Sequence, residues 1–236
     1  MIDNIKNTPI ETTVDAAVLA REVGADMLVR LDWMTIRPKK IVLLESVSTG
    51  TVDAIKARYT EAEVLQDLPS ENQSVDLIFA NLILPFTADV PALLAHWRRL
   101  LRPGGLVLAS AFGPDTLKEC AAFRRAEVVD MHNLGDGLLA AGLTDPVLDV
   151  DYYTMSYGCR NQLINEGVAN QLLQDNNKLA DIIDELPKSC GRYTLTVELV
   201  FAHAFAPDQM ANLAGTSEGE FRVSVSSLRN QLNNNK

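Results

Sequence analysis

The sequence is poor in cysteine and contains no long apolar run. Its three cysteines, Cys120, Cys159 and Cys190, are odd in number and widely spaced, which matches neither a disulfide framework nor a Cys-x-x-Cys metal site. No stretch approaches the roughly 18 apolar residues that a membrane-spanning helix needs, and residues 1–6 lack the charged and then apolar form of a signal peptide. We therefore expect a cytoplasmic protein with reduced thiols, no metal site and no membrane partner.

Positive charge is also scarce. The chain has 21 Lys and Arg residues against 31 Asp and Glu residues, which gives a net charge of −10. Sequence-independent binding to nucleic acid needs a concentrated cationic surface that displaces counterions from phosphates. The short basic clusters, Arg98 with Arg99 and Arg124 with Arg125, are typical of solvated helix faces. The sequence therefore argues against a nucleic-acid partner.

Apolar runs of strand length alternate with amphipathic segments along most of the chain. The 236 residues, 47% of them hydrophobic, are enough to bury the core of one domain, which we expect to span residues 1–236. The predicted strands are residues 40–45, 62–65, 75–81 and 106–111. The predicted helices are residues 14–33, 51–59, 90–101 and 134–141, with a further helix that begins at residue 114 and has Thr116 and Glu119 at capping-box spacing. This alternation predicts an α/β fold with a parallel sheet covered on both faces.

The last third of the chain has a different pattern. Two β-like segments, residues 147–155 and 193–204, enclose a helical stretch that is rich in Asn, Gln and Asp. We predict a C-terminal antiparallel hairpin at the edge of the sheet, with residues 160–190 as a helical insertion above the ligand edge. Residues 212–236 form a polar tail, in which residues 220–225 alternate well enough for a short edge strand.

Residues 39–50 are predicted to form a buried strand followed by a loop with a single glycine. In open α/β sheets, a Gly-x-Gly-x-Gly turn at this place lets backbone N–H groups approach a nucleotide and directs the positive end of the next helix at it. Ser46 and Ser48 stand at two of the three glycine positions, and only Gly50 remains. The loop therefore has the position of a nucleotide site without its usual residues.

Several motifs resemble those of known enzymes. The order strand, loop, Asp-Leu-Ile-Phe-Ala-Asn-Leu, helix, Leu-Arg-Pro-Gly-Gly, strand resembles class I methyltransferases that use S-adenosylmethionine. Residues 112–119, 130–146 and 193–205 more specifically resemble the malonyl-acyl-carrier-protein O-methyltransferases of biotin synthesis, the BioC family, and so do residues 30–38 and 219–229. The resemblance implies a Rossmann-like class I methyltransferase fold and S-adenosylmethionine as the cofactor.

The same resemblance shows which family features are missing. In the family, the first strand ends in Asp-x-Gly-Cys-Gly-Thr-Gly, and the matching positions here are residues 44–50. The family then has a second strand with a ribose-binding acid, a helix, and a third strand that holds the adenine. Here residues 64–69 lead directly toward the next strand, so roughly 25 to 30 residues of such a nucleotide-binding unit are absent. We therefore predict a mostly parallel sheet of about six strands from which the third strand is lost.

The resemblance assigns positions in the cofactor site to Glu45, Ser46, Ser48, Gly50, Asp67 and Asn81. Glu45 matches either a displaced ribose acid or a solvated loop acid, and Asp67 matches either the ribose acid or the loop aspartate before the family's Leu-Pro. His132 lies in a segment near the expected substrate entrance. No catalytic residue is predicted.

These losses bear on function because methyl transfer depends on a donor that is held in line with its nucleophile. The missing glycines and ribose contacts weaken cofactor binding by about 3 to 6 kcal/mol, on the order of 10² to 10⁴ in affinity. We therefore expect a pseudoenzyme that does not bind S-adenosylmethionine and acts as a binding or scaffold protein, with a true methyltransferase or an acyl carrier protein as its partner. Two alternatives stay open: an active carboxyl O-methyltransferase with a rearranged loop, and a small-molecule binder that uses the cleft without catalysis.

Overall fold

The computed structural model describes residues 10–11, 17–47, 50–174, 178–186 and 188–208, with the backbone alone for residues 10–11. The strands in these ranges are β1 (Ile10–Glu11), β2 (Lys40–Glu45), β3 (Glu63–Leu65), β4 (Val75–Asn81), β5 (Leu101–Phe112), β6 (Thr144–Tyr157), β7 (Lys188–Ser189) and β8 (Arg192–Phe205). The α-helices are α1 (Val18–Asp32), α2 (Thr51–Arg58), α3 (Val90–Leu100), α4 (Met131–Ala140), α5 (Arg160–Ala169) and α6 (Leu179–Glu185). Leu84–Phe86 and Lys118–Phe123 form short 3₁₀ helices.

The strands form one sheet in the order β1-β6-β8-β5-β4-β2-β3, and β7 pairs with β8 outside this path. Strands β3, β2, β4 and β5 are mutually parallel, whereas β8 is antiparallel to both β5 and β6. The prediction of a mostly parallel sheet with a C-terminal antiparallel pair is therefore confirmed. The sequence did not predict the two-residue strands β1 and β7, which are too short to leave a periodic pattern.

The third strand of the family pattern is missing from the sheet. Residues 66–74, which connect β3 to β4, are all described and contain neither a helix nor a strand. As a result, β3 is the last strand on its side, and β2 lies between β3 and β4. The predicted loss of a strand is confirmed, but the sheet has eight strands among the described residues, more than the predicted number of about six, because β1 and β7 were not predicted.

Helices cover both faces of the sheet, as the alternating pattern predicts. On one face, α1 and α2 pack onto the sheet through buried residues such as Val23, Met27 and Ile55. On the other face, α3 and α4 contribute Trp97 and Leu134 to a second apolar cluster. Two-sided coverage explains why β4 is almost entirely buried.

The prediction of a helix that begins at residue 114 is wrong. Residues 118–123 form only a short 3₁₀ helix, and the two predicted capping side chains bond to β8 instead. Thr116 Oγ1 donates to the Glu198 carbonyl oxygen at 2.8 Å, and the Glu119 carboxylate accepts from the Thr196 N–H and hydroxyl. Because β8 satisfies these groups, a capping box does not form. The predicted edge strand at residues 220–225 lies outside the described residues.

The segment between β6 and β8 contains α5 and α6. The predicted helical stretch of residues 160–186 is thus divided into two helices. At the end of α5, Leu172 and Leu173 donate backbone N–H bonds to the Gly167 carbonyl oxygen, at 2.9 and 3.0 Å. This reversal directs the residues after α5 toward the carboxyl ends of the parallel strands.

Candidate cofactor cleft

The predicted cofactor residues Glu45, Ser46 and Asn81 meet where β2 and β4 end. Glu45 and Asn81 are paired across the two strands, and the Ser46 N–H donates to the Asn81 carbonyl oxygen at 3.2 Å. In open α/β sheets, ligands bind at this carboxyl edge of the strands. The structure therefore brings these three predicted residues together at that edge, and their role in binding a cofactor stays a prediction.

The side chain of Asn81 holds two structural elements together. It is fully buried, its Nδ2 donates to the Ala20 carbonyl oxygen at 2.7 Å, and its Oδ1 accepts from the Ser110 hydroxyl at 3.5 Å. The amide thus links α1 to β4 and β5. Asn81 does not line the cavity at this edge.

The cavity at this edge has a volume of about 10 Å³. A single water molecule needs about 10 to 15 Å³, and pockets for small-molecule ligands are typically about 300 to 1,000 Å³. Nine residues line the cavity: Leu19, Ala20, Ser46, Val47, Leu82, Phe86, Phe112, Asn170 and Gln171. Between these nine described residues there is no room for a nucleoside.

Three separate parts of the chain fill the cleft. The first turn of α1 contributes Leu19, the turn after β4 contributes Leu82 and Phe86, and the end of α5 contributes Gln171. Leu82 has a φ of 52°, in the left-handed region that a branched side chain rarely adopts, and its N–H donates to the Ser110 hydroxyl at 2.9 Å. The turn after β4 is therefore held firmly in the position that closes the cleft.

Backbone hydrogen bonds also fix the segment after α5. The Arg125 N–H donates to the Leu172 carbonyl oxygen, and the Gln174 N–H donates to the Phe123 carbonyl oxygen, both at 2.8 Å. Arg124 Nη1 donates to the carbonyl oxygen of Thr116 at 2.7 Å. The wall formed by the end of α5 is thus tied to the segment that follows β5.

Gly50 and Asp67, two further predicted cofactor residues, do not line the cavity. Gly50 precedes α2 with a φ of 82°, a left-handed conformation that suits glycine, and it is exposed. Asp67 is exposed in the connection from β3 to β4. Ser48 lies outside the described residues. The roles of these three residues therefore stay predictions.

His132 lies on the surface in the first turn of α4, with 81% of its side chain exposed. Its ring Nδ1 is 3.1 Å from Asp130 Oδ1, and its backbone N–H donates to the same oxygen at 2.8 Å. The backbone bond from His132 lowers the pKa of Asp130 below its ordinary value. Asp130 acts as the N-cap of α4, so the pair has a clear structural role, and His132 does not line the cavity. Its predicted role at the substrate entrance stays a prediction.

A polar cluster beside the end of β5 was not predicted as a site. Glu198 on β8 is 8% exposed, and its Oε2 accepts from the Asp115 N–H at 2.6 Å. Its carboxylate packs on Gly113, where any Cβ would collide with the Glu198 side chain. The resemblance had marked both segments as specific to the family, but only the fold shows that they contact each other.

The three cysteines do not form a site. Cys120 is buried, and burial raises the pKa of its thiol to about 11, which makes a reactive thiolate rare at neutral pH. Cys159 and Cys190 are exposed. Within the described ranges there is no group of three or more His, Cys, Asp and Glu side chains that could hold a metal ion. Among the same residues, no helix is both long and apolar enough to cross a membrane.

Comparison with known proteins identifies the family in which these changes occurred. A family profile described as a methyltransferase domain matches residues 36–109. The malonyl-acyl-carrier-protein O-methyltransferase of Xylella fastidiosa (strain M23) is 31% identical over 242 residues, which cover 81% of this chain and 82% of that protein. The chain belongs to the malonyl-acyl-carrier-protein O-methyltransferase family. The resemblance seen in the sequence is thereby confirmed.

The malonyl-acyl-carrier-protein O-methyltransferase of Methylovorus sp. (strain MP688) is 29% identical over 269 residues, covering 90% of each chain. That alignment is longer than this chain of 236 residues, so it includes positions at which this chain has no residue. Among solved structures, the phosphoethanolamine N-methyltransferase 2 of Haemonchus contortus in complex with S-adenosylhomocysteine matches with a TM-score of 0.50 at 14% identity, over 78% of this chain and 52% of that chain. This likeness concerns the fold alone, and it agrees with the predicted Rossmann-like class I methyltransferase fold.

Proposed function

We propose that this chain is a non-catalytic member of the malonyl-acyl-carrier-protein O-methyltransferase family, which does not bind S-adenosylmethionine and acts by binding another protein. The observation that carries this proposal is that the cavity lined by described residues at the predicted cofactor edge has a volume of about 10 Å³. A cofactor of nucleoside size needs a pocket more than an order of magnitude larger. Without a bound methyl donor, the transfer step has no reactant to position.

The shortened connection between β3 and β4 supports the same proposal. In the family pattern, a helix and a third strand hold the adenine, and residues 66–74 contain neither element. Opening the cleft would therefore give a cofactor only part of its usual contacts. A change in the loop after β2 alone does not restore the contacts to the adenine that the helix and third strand make in the family pattern.

Opening the cleft would also cost free energy. Leu19 and Leu82 are both 3% exposed, and moving them outward would expose apolar surface at about 25 cal/mol per Å². The Arg125 and Gln174 backbone bonds that fix the end of α5 would have to break as well. Binding energy from the cofactor would have to offset these costs before any net affinity appeared.

A second candidate is an active S-adenosylmethionine-dependent O-methyltransferase of the malonyl thioester that rearranges its cofactor loop. Identity of 29 to 31% along 81 to 90% of the chain favours it, because both relatives carry that activity in their names. This candidate requires α1, the turn after β4 and the end of α5 to move apart when the cofactor binds. The two candidates therefore differ in cofactor affinity.

Isothermal titration calorimetry of the full chain with S-adenosylmethionine and S-adenosylhomocysteine separates these candidates. We expect no saturable binding, which corresponds to a Kd weaker than about 1 mM. The Methylovorus relative, measured in parallel, is the positive control for ligand quality. Saturable one-to-one binding in the micromolar range, or methyl transfer to a malonyl thioester, would overturn the non-catalytic proposal in favour of the second candidate.

The choice of a protein partner rests on the family resemblance and on the net charge of the chain. An active methyltransferase of the family and the acyl carrier protein are the two partners that the resemblance implies. A chain with a net charge of −10 repels an acidic carrier protein at long range, so we favour a methyltransferase partner. Mixing each purified candidate with this chain in size-exclusion chromatography with light scattering measures which of them forms a complex.

A further inference from the structure

Strand β6 is a long strand near one side of the sheet, and among the described residues only β1 pairs with its outer edge. On its inner side it pairs with β8 from Thr144 to Tyr157. On its outer side, β1 pairs with Met155 and Ser156. Among the described residues, no other strand contacts this outer edge. An exposed strand edge of this length is a template for an additional strand.

The register shows which backbone groups point outward. The Glu198 carbonyl oxygen accepts from the Gly113 N–H, so the backbone groups of Glu198 face β5. The neighbouring residues of β8 then face β6, and their partners on β6 are residues 149, 151 and 153. The residues between those partners, Leu148, Val150 and Tyr152, therefore direct their N–H and C=O groups away from the sheet.

Negative charge predominates around this edge. Residues 126–159, which include α4 and β6, contain no Lys or Arg. The same stretch contains six acidic residues: Glu127, Asp130, Asp136, Asp145, Asp149 and Asp151. One cation from α1, Arg30, is ion-paired with both Asp149 and Asp151, so two carboxylates share one guanidinium. The Asp149 side chain is still 48% exposed.

The side chains beside the edge also offer apolar contacts. Val147 is 52% exposed and Tyr152 is 41% exposed, and both belong to β6. Because alternate residues of a strand lie on opposite faces of a sheet, these two side chains flank the edge on different faces. An added strand would find an apolar contact on each face and carboxylates nearby.

We propose that the outer edge of β6, residues 147–153, binds an extended basic segment of a partner protein, which adds a strand to the sheet. Main-chain hydrogen bonds to Leu148, Val150 and Tyr152 would supply affinity, and the carboxylates would select Lys and Arg side chains. A second copy of this chain is a poor occupant, because two β6 strands would place their aspartates against each other. This surface is separate from the cofactor cleft, and the proposal does not depend on whether the cleft binds a cofactor.

The test uses a synthetic peptide of about eight residues with alternating Lys and Val, a length typical of strands. Amide hydrogen exchange is followed by NMR on the isotope-labelled full chain. In the free protein we expect fast exchange at Leu148, Val150 and Tyr152, since their N–H groups face solvent. With saturating peptide we expect at least about tenfold slower exchange at these three residues.

Two control peptides separate strand addition from simple charge attraction. The first carries N-methyl groups on alternate residues, which removes the main-chain donors, and the second has Glu in place of Lys. We expect neither to protect the three amides. Equal binding of the N-methylated peptide would mean that charge alone attracts the peptide, and it would overturn the proposal.

A matched pair of variants tests the position. Val150→Pro removes one outward N–H while leaving the bonds to β8, and it should weaken peptide binding about tenfold. Val150→Thr keeps the N–H and should bind nearly as the parent does. If Val150→Pro does not fold, the amide exchange of the parent chain with and without peptide still tests the proposal. Protection of the three amides in the free protein would show that the edge is already covered, and it would contradict the proposal.

Discussion

Two regions along the same edge of the sheet differ sharply in how they are built. Beside the ends of β2 and β4, apolar side chains from α1 and from the turn after β4, together with the polar Gln171 after α5, line a cavity of about 10 Å³. Beside the end of β5, the buried Glu198 and Thr116 and the half-buried Glu119 form specific bonds to backbone. The difference teaches that the β5–β8 region can keep the family's motifs, which bond to the chain itself, in a sheet that lacks the third strand of the family pattern.

The same comparison shows where the stability of the fold resides. The pairing of β2 with β4 ends at Glu45, so the loop that follows contributes little to the sheet ladder. The polar contacts of the β5–β8 region support the chain itself. We therefore expect substitutions in the β5–β8 region to lower the free energy of unfolding, and substitutions in the loop to change it little.

The largest effect is expected for Gly113→Ala. A Cβ at this position would collide with the Glu198 side chain, so the variant should lose about 3 kcal/mol of unfolding free energy in urea denaturation. Gly137→Ala is the matched control, because its Cβ would make an ordinary contact of 3.5 Å with Leu94. The control should be neutral or slightly stabilising, since alanine favours a helix. Equal stability of the two variants would refute the tight packing at Gly113.

A smaller loss is expected for Thr116→Val. The buried Thr116 hydroxyl donates to the Glu198 carbonyl oxygen and accepts from the Glu198 N–H, at 2.8 and 3.1 Å. Removing it leaves two buried backbone groups without this partner, which costs about 2 kcal/mol of unfolding free energy. Thr60→Val, at an exposed position, is the control and should change stability by less than about 0.5 kcal/mol. A thermal melt of the two variants together measures the difference.

Asp76 lies near the amino end of β4, at the opposite end of this strand from the candidate cleft. Its contribution to stability depends on pH. Burial raises the pKa of Asp76, but bonds from Arg102 and from the Lys39 and Lys40 N–H groups outweigh it and lower the pKa below its ordinary value. A lowered pKa in the folded state stabilises the fold above the unfolded-state pKa, and this stability is lost as pH falls through the folded-state value.

Asp76→Asn should therefore reduce stability by about 1 to 2 kcal/mol at neutral pH. The difference from the parent chain should shrink as the pH falls below the ordinary pKa of an aspartate. Asp67→Asn, at an exposed position, serves as the control. Urea denaturation over a series of pH values measures both variants, and a pH-independent difference would contradict the role of the Asp76 charge.

The smallest effect is expected for Ser46→Gly, which returns a family glycine to the loop. We expect a change in unfolding free energy below about 0.5 kcal/mol and no gain in cofactor binding, because the cavity stays closed and the third strand stays absent. Phe86→Ala serves as a companion variant, since it removes a ring from the cavity wall. Calorimetry with S-adenosylhomocysteine measures the affinity of both variants. Micromolar binding by either variant would mean that side chains close a cofactor site that is otherwise intact.

Much of the fold could be predicted from the sequence because its signals are local. The apolar run at residues 75–81 predicts β4 with its observed ends. The short connection before this run, compared with the family pattern, predicts the lost strand. The predicted helix from residue 114 failed because Thr116 and Glu119 find partners on β8, some 80 positions away, which local capping patterns do not reveal. The start of β5 at Leu101 also lies before the predicted start, since pairing with β4 extends it through the Pro-Gly-Gly turn.

The candidate site was only partly predictable. The sequence predicted that Glu45, Ser46 and Asn81 lie together at one edge of the sheet, because the ends of parallel strands meet there. It did not indicate that Leu19, Phe86 and Gln171 would close the cleft, because these residues come together only through packing. Asn81 illustrates the same limit, since its partner Ala20 lies on α1 and turns the amide away from the cavity.

The most direct test of the account is the affinity of the unmodified chain for S-adenosylhomocysteine, measured by calorimetry beside an active relative. The closed cavity and the missing third strand predict no saturable heat at ligand concentrations up to about 1 mM. One-to-one binding with a micromolar Kd would contradict the account, because it would require the walls formed by α1, the turn after β4 and the end of α5 to open readily.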